Sequence, residues 1–482
     1  MKKLFPFLCL LSAVFSCSEK PDIQWVATTP DVCWASQETT GIEFPRINVP
    51  NAPDIVIDVA NPQQTIDGFG TCFNELGWTS LSILSDVDKH TIFREFFTPD
   101  AGANFTICRM PVGANDFSRN WYSYNEMAGD FAMDSFSIAN DKETLIPFIK
   151  EALNYNPHLQ IWASPWSPPT WMKYNKHYAC NISDSSVAER YRNDLLPQQR
   201  GAEGTNMFIQ YDAYFAAYAL YFAKFIKAYR DENISISMVM PQNEFNSCQV
   251  FPSCTWTPDG LNKFIGKFLG PKMQELGVDV MLGTMERPNA SLIEPVLNDT
   301  ISSRYITGAG FQWAGKDAVK AIHENYPKLK IYQTEQECGD GANDWAHACH
   351  AWDLMKTYFG NGANVYTYWN TSLLKGGMSR WGWSQNSLVV VNKEDRTFNY
   401  TYEYYLMKHL SHFVLPGAKR LNTTGAFADL LAFQNTDGKI VLVIQNAASI
   451  EAKPLIRLDK YSFAPILKPN SFNTLVITSP SP

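Results

Sequence analysis

The 482-residue chain lacks the marks of several functional classes. Only 18% of its residues are charged, and no basic stretch is long enough to track a phosphate backbone, so nucleic acid is not a partner. The balance is acidic, with 40 Lys and Arg against 48 Asp and Glu and a formal net charge of −8. Past the N-terminus there is no apolar run of about 18 residues, so no later membrane-crossing helix is expected. Cys-x-x-Cys pairs are missing, as are internal repeats and low-complexity tracts. No strand-like run opens into a Gly-rich phosphate loop, which removes the usual sign of a nucleotide cofactor. Disorder is excluded as well, because 45% of the residues are hydrophobic. What the chain holds in quantity is aromatic: 14 Trp, 22 Tyr and 30 Phe, together 14% of its length. Such rings fill cores, and they also stack on sugars and nucleobases.

Met1-Lys2-Lys3 followed by the apolar stretch Leu4–Phe15 reads as a secretory signal, too short to span a bilayer as a stable helix. Val14-Phe15-Ser16-Cys17 resembles a bacterial lipobox, whose cysteine is lipidated and becomes the mature N-terminus. Ser18-Glu19-Lys20 looks like the tag that sends some lipoproteins to the outer-membrane surface. The expectation is a monomeric secreted lipoprotein at the outer membrane or cell surface, otherwise periplasmic, that meets the membrane only through a lipid anchor at Cys17. The remaining cysteines are scattered, and Cys248/Cys254 is the nearest local pair should a disulfide form. His347, Cys349 and His350 lie close together without a second ligand cluster. They read as helix positions, and neither a metal nor a cofactor is expected.

From residue 63 to about 412, short apolar runs alternate with longer amphipathic segments. Eight runs have strand character: Thr65–Phe73, Phe105–Val112, Gln160–Ser164, Ser235–Pro241, Asp279–Thr284, Tyr305–Phe311, Lys330–Thr334 and Asn364–Trp369. Helical patterns lie at Ser80–Phe96, Met207–Arg230, Leu261–Leu276, Asp317–Tyr326, Asp344–Phe359 and Tyr402–Phe413. Eight such units predict an α/β fold, a (β/α)8 TIM barrel. The flanks change period. Asp54–Val59, Leu430–Phe433, Lys439–Gln445, Leu455–Leu458 and Thr474–Thr478 are short alternating runs, and Asn435-Thr436-Asp437-Gly438 is a hairpin turn. The expected organisation is a signal peptide at 1–16 and a linker with an N-terminal sandwich strand at 17–62. The catalytic barrel follows at 63–412 and a C-terminal β-sandwich at 413–482, so that the appended sandwich is built from both chain ends.

Barrels of this kind carry their chemistry at the C-terminal ends of the strands. There the fourth strand runs into Asn243-Glu244 and the seventh into Glu335, while Glu286 and Asp116 follow the fifth and second. A single strand-end Glu is commonly a loop residue or a helix cap. Two on nearly opposite strands of one mouth suit glycoside hydrolysis, in which a protonated carboxyl releases the leaving group and an ionised one attacks the anomeric carbon.

These stretches resemble glycoside hydrolase family 30, the family of glucosylceramidases and bacterial β-1,6-glucanases. The matching segments are Ile66–Gly70, Arg109–Val112 with Asp116-Phe117-Ser118, Ala163–Lys173, Pro241–Glu244, Tyr332–Glu335 and Tyr368-Trp369-Asn370. The resemblance implies a retaining β-glycosidase that forms a covalent glycosyl-enzyme, with Glu244 as acid/base and Glu335 as nucleophile. It also implies that Asp116, Trp166, Asn243, Trp313 and Trp369 bind substrate, the Trp166 and Trp369 indoles offering flat walls to the sugar. Glu337 rivals Glu335, because residues two apart on a strand share a side. One departure stands out. Glucosylceramidases carry His-Trp-Tyr after the sixth strand, where this chain reads Gln312-Trp313-Ala314, so the tyrosine that normally donates to the nucleophile is missing. The expected substrate is a β-linked glucoside, as for a β-1,6-glucanase or a glucosylceramidase-like β-glucosidase. Xylan- or fucoside-directed action and non-catalytic glycan binding are the alternatives.

Overall fold

The computed structural model describes residues 21–40, 42–43, 52–99 and 101–478. The segment around Cys17, with the expected signal and lipidation site, lies outside them. Three strands precede the barrel: β1 (Asp22–Thr28), β2 (Ala35–Ser36) and β3 (Ile55–Asp58). The barrel strands are β4 (Gly68–Cys72), β5 (Ile107–Pro111), β6 (Gln160–Ser164), β7 (Met238–Val239), β8 (Asp279–Met285), β9 (Ile306–Gln312), β10 (Lys330–Glu335) and β11 (Val365–Asn370). A short three-stranded sheet follows: β12 (Ser372–Leu374), β13 (Val389–Asn392) and β14 (Thr397–Tyr400). The chain closes with β15 (Lys419–Thr424), β16 (Leu430–Gln434), β17 (Ile440–Asn446), β18 (Ile456–Leu458), β19 (Tyr461–Phe463) and β20 (Ser471–Thr478).

β4 to β11 close into a parallel barrel, with β11 beside β4. Each of the eight falls within or against one of the expected runs. Parallel barrel strands are covered on both faces, so they read as continuous apolar runs. One face packs against the helices. The other points into the lumen, where Ile107, Trp162, Met238, Met281, Tyr332 and Val365 form a separate buried cluster. Side chains two residues further along a strand share that face and stand nearer the mouth. Arg109 and Ser164 therefore sit just above Ile107 and Trp162, at the level where the lumen opens.

The second sheet has the order β19-β18-β3-β15-β16-β17-β20-β1-β2. β15 pairs with β16 through Lys419–Leu421 and with β3 through Asn422–Thr424, so the ladder turns there and its two halves enclose one core. Trp25, Ile57, Leu442, Ile456 and Leu475 belong to that core. Both chain ends build it, as β1 runs antiparallel to β20 along its whole length. Three expectations are corrected in detail. Ser80–Phe96 is two helices, Glu75–Leu81 and Asp86–Phe97, the second opened by Ser85 as its N-cap. The helix expected from Met207 begins at Asp212, because the preceding residues are extended and Phe208 bridges Lys173. Cys248 and Cys254 are both free thiols.

Barrel and sandwich meet over the helix Tyr402–Ser411. Its His409 is wholly buried between them, with Nδ1 2.8 Å from Thr474 Oγ1 and Nε2 2.9 Å from Thr28 Oγ1. Burial, then the neighbouring Lys408 charge, pushes the imidazole down to about 3. Between that value and the unfolded one of about 6.5, the unfolded chain binds a proton that the folded chain refuses, so stability falls as pH falls. The loss is on the order of 1 kcal/mol per pH unit across that window. Thermal unfolding followed from pH 7 to pH 5 should show a falling Tm. In His409→Gln, which keeps a polar side chain but cannot titrate, the slope should be shallower; an equal slope would remove His409 as its source.

Candidate active site

The site is assembled around a charged side chain in the barrel lumen. Arg109, on β5, is wholly buried and donates from Nη1 to Glu335 Oε2 at 3.0 Å and to the carbonyl of Thr334 at 3.1 Å. From Nη2 it donates to Asn243 Oδ1 at 2.7 Å and to Ser164 Oγ at 2.9 Å. Its guanidinium lies 4.4 Å from the ring centre of Trp166 and 5.3 Å from that of Trp369. A buried guanidinium is tolerated only when its fork is filled and its faces are covered, and both conditions are met.

Glu335 closes β10, where the register against β9 shifts between Gln333 and Glu335. Such an irregularity re-aims the side chain that follows it. Both oxygens of Glu335 are occupied: Oε1 accepts from Trp313 Nε1 at 3.1 Å, and Oε2 from Arg109 and from Gln312 Nε2 at 3.2 Å. Trp313 thus supplies a donor to Glu335 in a chain that has Ala314 instead of a tyrosine. Glu337 lies beyond the end of β10 and departs from the strand's alternation. It is held by Lys316 at 2.8 Å and His350 at 3.0 Å, on the outer helices.

Glu244 follows β7 and has a positive φ of 48°, as does Trp313 after β9. Non-glycine residues seldom adopt this region, and its cost of roughly 1–3 kcal/mol is met where the surroundings hold the residue in place. The backbone N–H of Glu244 donates to Thr284 Oγ1 at 2.9 Å, and Thr284 in turn donates to Asn243 Oδ1 at 3.0 Å. Glu244 Oε1 accepts from Gln312 Nε2 at 3.0 Å, and Gln249 Nε2 stands 3.4 Å from Oε2. One nitrogen of Gln312 therefore bridges the two carboxylates. Their nearest oxygens are separated by no more than the sum of its two distances. That bound admits the spacing of about 5–5.5 Å used for direct attack.

Their electrostatics differ. Burial, then the charges of Glu335 and Glu286, holds the Glu244 carboxyl well above the usual range. Burial also raises Glu335, but the Arg109 charge and the Trp313, Arg109 and Gln312 donors oppose it. The arrangement accommodates one proton on Glu244 and a charge on Glu335. Asp116 is held up by burial and by Glu335. Its Oδ2 accepts from Trp369 Nε1 at 3.3 Å, while its buried Oδ1 has no partner. An unpaired buried carboxylate oxygen is costly, and facing a cavity it is an acceptor awaiting a donor.

These groups border a cavity of about 360 Å³ at the barrel mouth, lined by Asp116, Glu244, Glu286, Trp313, Glu335 and Trp383, with Gln249, Phe251 and Gln385 on its walls. Trp166 and Trp369, expected as open stacking platforms, are exposed by only 1% and 0%. They stack on each other with ring centres 5.2 Å apart, against the Arg109 guanidinium, and act as backing. The aromatic walls of the cavity are Trp313, Trp383 and Phe251. A hollow of about 420 Å³ at the opposite end of the barrel, around Leu297, Ile306, Tyr326 and Leu329, has no carboxylate in its lining. Arg109, Gln312, Gln249 and Trp383 were missed as site residues. For Arg109 the signal was available, since a lone charge inside the apolar run Phe105–Val112 has to be paired.

Residues 66–190 and 198–414 match the family model described as the glycosyl hydrolase family 30 TIM-barrel domain. The chain is 26% identical over 414 residues to an Aspergillus fumigatus protein named endo-1,6-beta-D-glucanase neg1, covering 80% of this chain and 79% of that protein. Against the lysosomal acid glucosylceramidase of Mus musculus it is 24% identical over 412 residues, covering 80% and 76%. Among solved structures, the endo-beta1,6-glucanase BT3312 superposes with a TM-score of 0.76 at 25% identity, covering 94% of this chain and 98% of that one.

Arg109 is the cation that holds this arrangement together, so Arg109→Met should leave Glu335 buried without its counter-charge. The expected cost is roughly 3–5 kcal/mol of unfolding free energy, read by urea denaturation. A loss below about 1 kcal/mol would show that the site does not depend on it.

Proposed function

The chain belongs to glycoside hydrolase family 30, and from that premise we propose that it is a retaining β-glycosidase acting on β-1,6-linked glucan. The observation that carries the mechanism is the bridging amide of Gln312, which holds Glu244 and Glu335 close enough for one carboxylate to attack directly while the other serves the leaving group. Glu335, kept ionised by Arg109, Trp313 and Gln312, attacks the anomeric carbon. Glu244, kept protonated by burial and by the two neighbouring carboxylates, gives its proton to the departing oxygen. A covalent glycosyl-enzyme results. Glu244, now ionised, then takes a proton from water, which attacks the same carbon from the face the leaving group vacated. Two inversions return the β configuration.

The free Oδ1 of Asp116 is placed to accept from a sugar hydroxyl. Asn243 gives its oxygen to Arg109, Thr284 and Gln312, which leaves its amino group as a donor for the hydroxyl beside the scissile bond. Trp313 and Trp383 present ring faces or edges to the sugar. The glucan reading rests on relatives named as 1,6-glucanases and on a cavity lined by carboxylates, amides and the aromatic rings of Trp313, Trp383 and Phe251, with no aliphatic side chain among its lining residues. The N-terminal signal and Cys17 support delivery to a bacterial surface, where polysaccharide is met more often than sphingolipid.

The test is a panel of β-1,6-, β-1,3- and β-1,4-glucans, xylan, aryl β-fucoside and glucosylceramide, with products separated by chromatography and the anomer followed by NMR. β-1,6-glucan should be cut fastest, and the first-formed product should be the β-anomer. A first-formed α-anomer would contradict the mechanism, and faster hydrolysis of xylan, fucoside or glucosylceramide would contradict the substrate.

A further inference from the structure

Two segments outside the barrel strands meet at the edge of the cavity, and each carries a cysteine. Cys180 lies in the excursion from Asn175 to Thr205, and Cys248 follows Glu244 by one helical turn's length of chain. Their backbones are tied together, because the N–H groups of Cys180 and Asn181 both donate to the carbonyl of Gln249, at 2.9 and 2.8 Å. Cys248 Sγ donates to the carbonyl oxygen of Cys180 at 3.0 Å, and Cys180 Sγ donates to that of Ser253 at 3.3 Å. Cys180 is buried and Cys248 half-buried, so the second sulfur is reachable from solvent. Cys254, the partner expected from sequence proximity, is buried with its sulfur 3.9 Å from the carbonyl of Thr255.

We propose that Cys180 and Cys248 are a redox modification site, a dithiol that closes to a disulfide and clamps the wall of the catalytic cavity. The clamp acts on the site because Gln249, next to Cys248, reaches towards Glu244, and Phe251 lines the cavity. The local chemistry favours reaction. The Cys248 thiol, and beyond it the buried Lys173 ammonium, pulls the Cys180 thiol down to about 5 against the effect of burial. The Cys180 sulfur in turn raises Cys248. Cys180 is thus the more acidic of the two sulfurs.

The oxidant is an external disulfide of the glutathione type. The Cys248 sulfur attacks the external disulfide and its proton goes to the external sulfur that departs. The Cys180 thiolate then attacks Cys248 Sγ and expels the second external sulfur as a thiolate. One protein S–H bond and one external S–S bond are broken; one protein S–S bond and one external S–H bond are formed. The two electrons pass to the external disulfide.

The full chain is incubated with oxidised glutathione, alkylated, digested without reductant and mapped by mass spectrometry. The expected result is a cross-linked peptide pair joining Cys180 to Cys248, two hydrogens lighter than the reduced pair and reversed by dithiothreitol. Cys254→Ser should leave it unchanged. Cys180→Ser should stop at a glutathione adduct on Cys248. Should that buried substitution fail to fold, Cys248→Ser, at the half-buried position, should leave Cys180 unmodified. A Cys248–Cys254 link, a glutathione adduct persisting on Cys248 of the unsubstituted protein, or no oxidation at all would each overturn the proposal.

Discussion

The site depends on a guanidinium buried in the lumen of a barrel. Arg109 cannot shed its charge, and in the interior it must be matched donor by donor. Meeting that demand draws in Ser164 from β6, Asn243 from beyond β7, Gln312 from β9, and Thr334 and Glu335 from β10. The stacked rings of Trp166 and Trp369 cover it. One charge thus fixes the relative positions of side chains from five strands. This is how a fold held together largely by apolar packing places polar atoms to within a fraction of an ångström.

From that anchor follows the inequality between the two carboxylates. Arg109 lies on the side of Glu335, while Glu286 and Glu335 itself press on Glu244. Placement alone thus favours a proton on Glu244 and a charge on Glu335, the division that the proposed mechanism needs. Gln312 stands between them as a neutral amide where related glucosylceramidases carry histidine, so the bridge holds the spacing without adding a titrating group. Trp313 adds a donor to Glu335 at the cost of a left-handed backbone. The departure from the glucosylceramidase pattern at 312–314 is thus accompanied by contacts from Gln312 and Trp313 to the two carboxylates.

Much of this was legible from sequence, for a physical reason. Barrel strands are covered on both sides, so the eight apolar runs and the carboxylates ending the fourth and seventh stood out. β1 and β15 were not recognised, because each depends on a partner far along the chain as well as on its neighbour, β20 for one and β3 for the other. Glu335 and Glu337 could not be separated by strand alternation, because the register shift at the end of β10 and the pull of Lys316 and His350 are tertiary effects. The burial of Trp166 and Trp369 was hidden too. A tryptophan at a strand end looks the same whether its face meets sugar or another indole. Trp383 and Gln249 reach the cavity on loops, where spacing carries little information.

The central claim is that Glu335, held ionised by Arg109, forms the bond to the sugar. It is tested most directly by trapping that bond with a 2-deoxy-2-fluoro-β-glucosyl fluoride, which slows release of the intermediate more than its formation. The labelled peptide is then identified by mass spectrometry. The account predicts one fluoroglucosyl group per chain, attached at Glu335. A label on Glu337, or inactivation of the enzyme with no covalent adduct, would contradict it.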